Sequence, residues 1–413
     1  MSKNNGSLLT HLECVACGAE YSAEELQTVC RNEDCKSILS AQYDFTANTL
    51  TKEELQRRPA TMWRYREFLP VYDSENIVTL GEGFTPIIPL NSFGKATGEA
   101  TGKAIGEVTG EATGKRIGQP HVFYKDESLN PTCSFKARGL SAAVSKAKEL
   151  GVRETVIPTA GNAGGALAAY SAKAGIKAHI YMPKQTPNAF KTEVLFFGAE
   201  LREVNGNISD CGKLSNTEAA VHGWFDVSTL KEPYRLEGKK TMGYEIAEQF
   251  GWVLPDVILY PTGGGTGLIG IWKAFRELEQ LGWIHGKRPR MVAVQSDSCN
   301  GIHLAFQNNE SSSTFKDKGI TIANGLRVPK PYADKVILKV LRESQGNSVS
   351  VNDSAILESL REIALREGSL WAPEGAALWH AFKILSQSGW IADNETVLLL
   401  NTGNAYKYLP FDS

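Results

Sequence analysis

Short apolar runs alternate with helix-length apolar patterns along most of this chain. The runs Val122-Phe123-Tyr124, Thr155-Val156-Ile157-Pro158 and Asp256-Val257-Ile258-Leu259-Tyr260 read as strands. So do residues 177–182, closed by Pro183, and the buried-type runs 290–295 and 396–400. Residues 140–150, ended by Gly151, read as a helix, as do the patterns Ala166-Leu167-Ala168-Ala169-Tyr170 and Leu268-Ile269-Gly270-Ile271-Trp272. Strands alternating with helices predict parallel sheets covered by helices on both faces. In such sheets a ligand sits at the carboxyl ends of the strands. One stretch breaks the pattern. Glycine recurs every fourth residue from Gly94 to Gly118, with Lys, Glu, Ala and Thr between. So many glycines oppose a helix and leave little to bury, which predicts a flexible surface insertion, neutral in function, with a partner-binding loop as the alternative.

Three loops carry candidate chemistry. The peptide Asn130-Pro131-Thr132-Cys133-Ser134-Phe135-Lys136-Ala137-Arg138-Gly139 puts a lysine between a turn and an alanine-rich helix. Partial burial there would lower its pKa and make it an amine nucleophile. Alone, the peptide fits an ordinary helix-start lysine reaching water. Two glycine turns change the balance: Thr159-Ala160-Gly161-Asn162-Ala163-Gly164-Gly165 and Gly263-Gly264-Gly265-Thr266-Gly267. Each follows a strand pattern and precedes a helix pattern. Such a turn aims backbone N–H groups and a helix N-terminus at one spot, which suits an anion. A tight turn without a ligand is the plainer reading. A lysine amine with two anion cradles suits an amino-acid substrate on a phosphate-bearing cofactor.

Bulk properties narrow the classes. The 413 residues, 42% apolar, suit two domains and a small third. Lys plus Arg number 44 and Asp plus Glu 46, so no basic field exists to gather nucleic acid. No run is long and apolar enough for a membrane span, and the N-terminus lacks a signal-peptide pattern, so a cytoplasmic protein is expected. The seven histidines show no metal spacing. Of the cysteines, Cys133, Cys211 and Cys299 are scattered, whereas Cys14, Cys17, Cys30 and Cys35 cluster as C-x2-C and C-x4-C. Four thiolates can close a tetrahedral structural zinc site. Reduced cysteines in a short β-rich appendage, or a disulfide pair, are the alternatives. Acidic neighbours such as Glu24, Glu25 and Asp34 argue against a nucleic-acid-binding ribbon.

The stretches 130–139, 159–164, 263–267 and Asn401-Thr402-Gly403-Asn404 stand in the order found in pyridoxal-phosphate enzymes of fold type II, the tryptophan-synthase-beta-like group. The chain resembles that group. Residues 62–66 and 80–86 resemble the approach region of its threonine synthases, some of which carry a ribbon-like head. The resemblance implies an α/β fold of two domains, each with a twisted, mostly parallel sheet flanked by helices, plus an N-terminal ribbon-like head. It divides the chain into a head at 1–50, a large cofactor domain at 51–137 and 241–413, and a small domain at 138–240. It implies that Lys136 holds the cofactor as a Schiff base and later takes the Cα proton. Asn162 would meet the ring hydroxyl, although local helix capping also suits it. Gly263, Gly264, Gly265, Thr266 and Gly267 would hold the cofactor phosphate, and Thr402 would face the pyridine nitrogen. Thr159, Ala160, Gly161, Asn162 and Ala163 would grip the substrate carboxylate. Arg235, with Lys240 or Arg138 assisting, would bind a substrate phosphate; pairing with surface acids is the alternative. A cytoplasmic homodimer is expected. The implied reaction converts O-phosphohomoserine and water to threonine and phosphate. Three departures keep rivals open. Ala137 stands where aspartate is usual, Lys239 where glutamine is common, and the 263–267 run is closer to threonine or serine dehydratases. A dehydratase, a cysteate-synthase-like replacement enzyme using a phosphorylated amino acid, and a cofactor-bound protein without turnover are those rivals.

Overall fold

In the computed structural model, residues 6–90, 120–316 and 319–410 are described. The glycine-periodic stretch 94–118 lies outside the described residues. The strands in chain order are β1 (Leu9–Cys14), β2 (Glu20–Ser22), β3 (Leu39–Tyr43), β4 (Ile87–Pro89) and β5 (His121–Asp126). Next come β6 (Glu154–Pro158), β7 (Lys177–Pro183), β8 (Glu200–Val204) and β9 (Phe225–Asp226). The last are β10 (Val257–Pro261), β11 (Arg290–Ser296), β12 (Asn347–Val351) and β13 (Thr396–Asn401). The helices are α1 (Lys52–Gln56), α2 (Lys136–Glu149), α3 (Asn162–Ala174), α4 (Asn188–Phe196), α5 (Ile208–His222) and α6 (Tyr234–Gln249). They continue as α7 (Thr266–Gln280), α8 (Gly301–Gln307), α9 (Asp334–Glu343), α10 (Asp353–Glu367) and α11 (Pro373–Gln387).

Three sheets result. The head is an antiparallel sheet of order β2-β1-β3. The large sheet runs β12-β11-β10-β13-β5-β4, parallel except for the edge strand β4. The small sheet runs β8-β7-β6-β9 and is parallel throughout. The central strands are apolar and closed from water, as strands covered by helices on both faces must be: every residue of β10 is buried. The expected alternation is thus present, with the expected runs at 177–182, 290–295 and 396–400 each extended by one residue in β7, β11 and β13.

Helix α6 packs against both α2 and α7. Their close approach depends on glycine at one crossing: a Cβ on Gly238 would stand 2.0 Å from the Arg138 carbonyl oxygen. The expected domain boundaries at 137/138 and 240/241 fall inside α2 and α6. Among the described residues no helix is long and apolar enough to cross a membrane.

Candidate active site

The carboxyl ends of β6, β7, β8, β9, β10 and β13 converge on a cavity of about 1080 Å³. That is room for a cofactor and a small substrate together. Lys136 opens α2 at this cavity, half-buried. Loss of bulk water around its amine, reinforced by the Arg235 charge and opposed by Glu374, lowers its pKa to about 7. An amine that is half neutral near pH 7 is a competent nucleophile and base.

Two helix N-termini face the cavity. At α7, Gly263, Gly264, Gly265 and Thr266 form the lining. Gly265 caps the helix in the left-handed region (φ +74), and a Cβ on Gly263 would lie 2.1 Å from the Gly325 carbonyl oxygen. Packing therefore demands those two glycines whatever binds. Gly264 differs: its Cβ would meet nothing closer than Thr229 Cγ2 at 3.4 Å. The first N–H groups of α7 have no acceptor within the helix, so the loop forms an open cradle for an anion. Gly267, one residue further into α7, packs its Cα side against the Tyr260 hydroxyl.

At α3, residues Thr159, Ala160, Gly161, Asn162 and Ala163 line the cavity. The Gly161 N–H donates to Thr159 Oγ1 at 3.2 Å. The Asn162 side chain does not cap its helix. Its amide donates to the Tyr408 hydroxyl at 3.4 Å, and its Oδ1 accepts from Lys407 Nζ at 3.2 Å. Thr402 lines the cavity at the end of β13, and its carbonyl accepts from Phe135 N–H at 3.1 Å, which ties the lysine turn to the strand end.

The basic residues separate. Arg138 does not line the cavity, which corrects its expected role. It is fully buried, with Nε 2.6 Å from Glu127 and Nη2 2.7 Å from Glu245. Lys240 is corrected likewise: it is buried between Glu237 at 2.6 Å and Glu277 at 3.0 Å. Both charges are committed to carboxylates, as buried charges require. Arg235 behaves otherwise. It is fully buried behind the lining residues, and its Nη1 donates to the Val227 carbonyl at 2.6 Å. Its Nε and Nη2, and the Nζ of buried Lys239, have no hydrogen-bond partner among the described residues. Burial, with Lys136 and Arg235 nearby, holds the Lys239 amine well below the usual lysine range.

Sequence reasoning missed the acid of this site. Glu374, in the first turn of α11, lines the cavity. Its Oε1 accepts from Gly325 N–H at 2.6 Å and from the Tyr408 hydroxyl at 3.0 Å, while Oε2 has no hydrogen-bond partner among the described residues. Burial raises its pKa. The Pro373-Glu374 pair reads only as a helix start, and nothing local announces the cavity. The C-terminal residues Lys407 and Tyr408, also lining, had no signal either.

Residues 107–403 match the family described as pyridoxal-phosphate dependent enzymes. This chain belongs to that family. Its relatives include the threonine synthase of Methanosarcina acetivorans, 32% identical over 96% of this chain and 92% of that protein. That of Methanocaldococcus jannaschii is 31% identical over 95% and 92%, and that of Synechocystis 33% over 84% and 84%. Among solved structures, a pyridoxal 5'-phosphate-dependent aspartate racemase superposes with TM-score 0.63 at 21% identity, over 78% of this chain and 90% of that one. Maize serine racemase gives 0.59 at 20%, over 69% and 83%. The fold is that of the fold type II enzymes.

The residues present fit the cofactor of this family. An amine near neutrality, a glycine cradle on a helix N-terminus, an amide and a hydroxyl all line one cavity.

Proposed function

We propose that this chain is a threonine synthase, converting O-phosphohomoserine and water to threonine and phosphate. The observation that carries this reading is the likeness to threonine synthases over nearly the whole chain, head included. Lys136 would hold pyridoxal phosphate covalently. Gly263, Gly264, Gly265, Thr266 and Gly267 would hold its phosphate, Asn162 its ring hydroxyl, and Thr402 its pyridine nitrogen. When bound, the cofactor supplies the electron sink for charge developing at the substrate's Cα.

The chain's own residues do the rest. Thr159, Ala160, Gly161, Asn162 and Ala163 receive the substrate carboxylate at the α3 N-terminus, where the helix dipole favours an anion. The Lys136 amine, neutral above about pH 7, takes and returns the Cα proton. Of the three cations expected at the leaving phosphate, Arg235 keeps two unpartnered donors, and these match a phosphate fork. Residues 138–240 form the small domain of this proposal, and the working unit is a cytoplasmic homodimer, checked by sedimentation.

Product analysis tests the reaction. Phosphate and threonine should appear together from O-phosphohomoserine, with little turnover of threonine, serine or phosphoserine. Oxo-acid production from threonine or serine alone would replace this reading by a dehydratase.

A further inference from the structure

The proposed reaction makes no use of the head. Yet among the described residues the head holds the only cluster of three or more metal-binding side chains that converge on one point. Cys14, Cys17, Cys30 and Cys35 come from two tight turns. In the first, Gly18 N–H donates to the Cys14 carbonyl at 3.0 Å. In the second, the N–H groups of Cys35 and Lys36 both donate to the Asn32 carbonyl at 3.1 Å. The four sulfurs all lie within 4.8 Å of one another, with Cys14–Cys35 at 3.5 Å and Cys17–Cys30 at 3.6 Å. Four thiolates about 2.3 Å from a tetrahedral ion stand about 3.8 Å apart. Disulfide sulfurs would stand about 2.05 Å apart. The spacing is therefore that of a tetrathiolate site. Thiolates in a tetrahedron select zinc or iron. No redox step occurs in the proposed reaction, so redox-inert zinc suits the head. On binding, the S–H protons leave as four Zn–S bonds form.

The cluster also touches the active site. Tyr332 lines the cavity, and its hydroxyl donates to the carbonyl of Lys36, the residue after Cys35. Lys36 sits in the left-handed region (φ +46), a backbone setting that its turn must hold in place. On another side, Tyr234 packs into the head's apolar cluster with Leu12, Cys14 and Cys30 and precedes Arg235 in the chain. A head this small has little apolar core of its own to fix these contacts.

We propose that Cys14, Cys17, Cys30 and Cys35 bind one zinc ion, and that the zinc-held turn at Lys36 fixes Tyr332 and with it one wall of the cavity. The metal half is independent of the reaction. The wall half rests on the threonine synthase reading only where turnover is measured.

Elemental analysis of holoenzyme purified without chelator should find one zinc per chain. Cobalt exchanged into the site should give the visible absorption of a tetrahedral tetrathiolate. Protein without metal, iron in place of zinc, or two disulfides by mass would overturn the metal site. Tyr332→Phe deletes one hydroxyl and leaves the cysteines alone. It should keep its zinc and speed amide exchange in residues 324–332 several-fold, leaving 159–165 unchanged. Its KM for O-phosphohomoserine should rise several-fold with kcat nearly unchanged. Unaltered exchange in 324–332 would overturn the coupling, whatever the activity. Wild-type protein with zinc and the expected exchange but no turnover of O-phosphohomoserine would overturn the proposed reaction and leave the metal site standing.

Discussion

Lys136 combines an unremarkable local setting with an unusual ionisation. The sequence places it after a turn and before an alanine-rich helix, but its neighbours across space set its pKa. Arg235, nearly a hundred positions on, helps push the amine down to about 7, and Glu374 restrains the fall. A lowered pKa means that the neutral, reactive amine predominates above pH 7 and is lost as pH falls through that value. The rate at which apoprotein takes up pyridoxal phosphate should therefore climb with pH to about 7 and then flatten. A rate that keeps climbing toward the ordinary lysine range would show that the amine is not perturbed. Lys136→Ala should lose the absorbance of the bound cofactor and about 10²–10⁴-fold or more of turnover, the span of a positioned acid–base group. Retained absorbance would point to another lysine. Glu374 shows the limit of reading single residues. Gly325 and Tyr408 give it its meaning, and neither is near it in sequence.

At the scale of elements, two arginines looked alike and are not. For Arg138 on α2 and Arg235 on α6, the family resemblance implies a role at the substrate phosphate. The packing of α6 on α2 brings Glu245 against Arg138, with Glu127 on its other side. That contact depends on Gly238 and is non-local, so no sequence window displays it. Arg138→Met should leave Glu127 without its cation and Glu245 with Lys125 alone, and cost about 3–5 kcal/mol of unfolding free energy, read from denaturant titration. A loss below about 1 kcal/mol would contradict the buried ion-pair role. Arg235→Ala should fold and still saturate with cofactor, although uptake near neutral pH should slow as the Lys136 pKa rises. It should lose about 2–4 kcal/mol of transition-state stabilisation toward the phosphorylated substrate, the size of a charge-assisted contact made at developing charge. Full activity in that variant would show that the phosphate is held elsewhere.

Over the whole molecule, the alternation of apolar runs and helix patterns was enough to read parallel sheets, and it also located the cavity at their carboxyl ends. Local pattern does not carry strand order. The insertion of β13 between β10 and β5 joins parts of the chain far apart in sequence, and only packing decides it. The residues 407–410 that complete the cavity were equally silent, because so short a segment has no periodicity to read. The head was legible through its cysteine spacing, but its contact with the cavity wall was not. The central claim concerns the whole assembly: cofactor, amine and cation together break a carbon–oxygen bond and deliver water to carbon. Turnover of O-phosphohomoserine in water enriched in oxygen-18 tests it most directly. The account predicts one heavy oxygen in the threonine hydroxyl and none in the released phosphate. Heavy oxygen in the phosphate, or phosphate released without threonine, would contradict it.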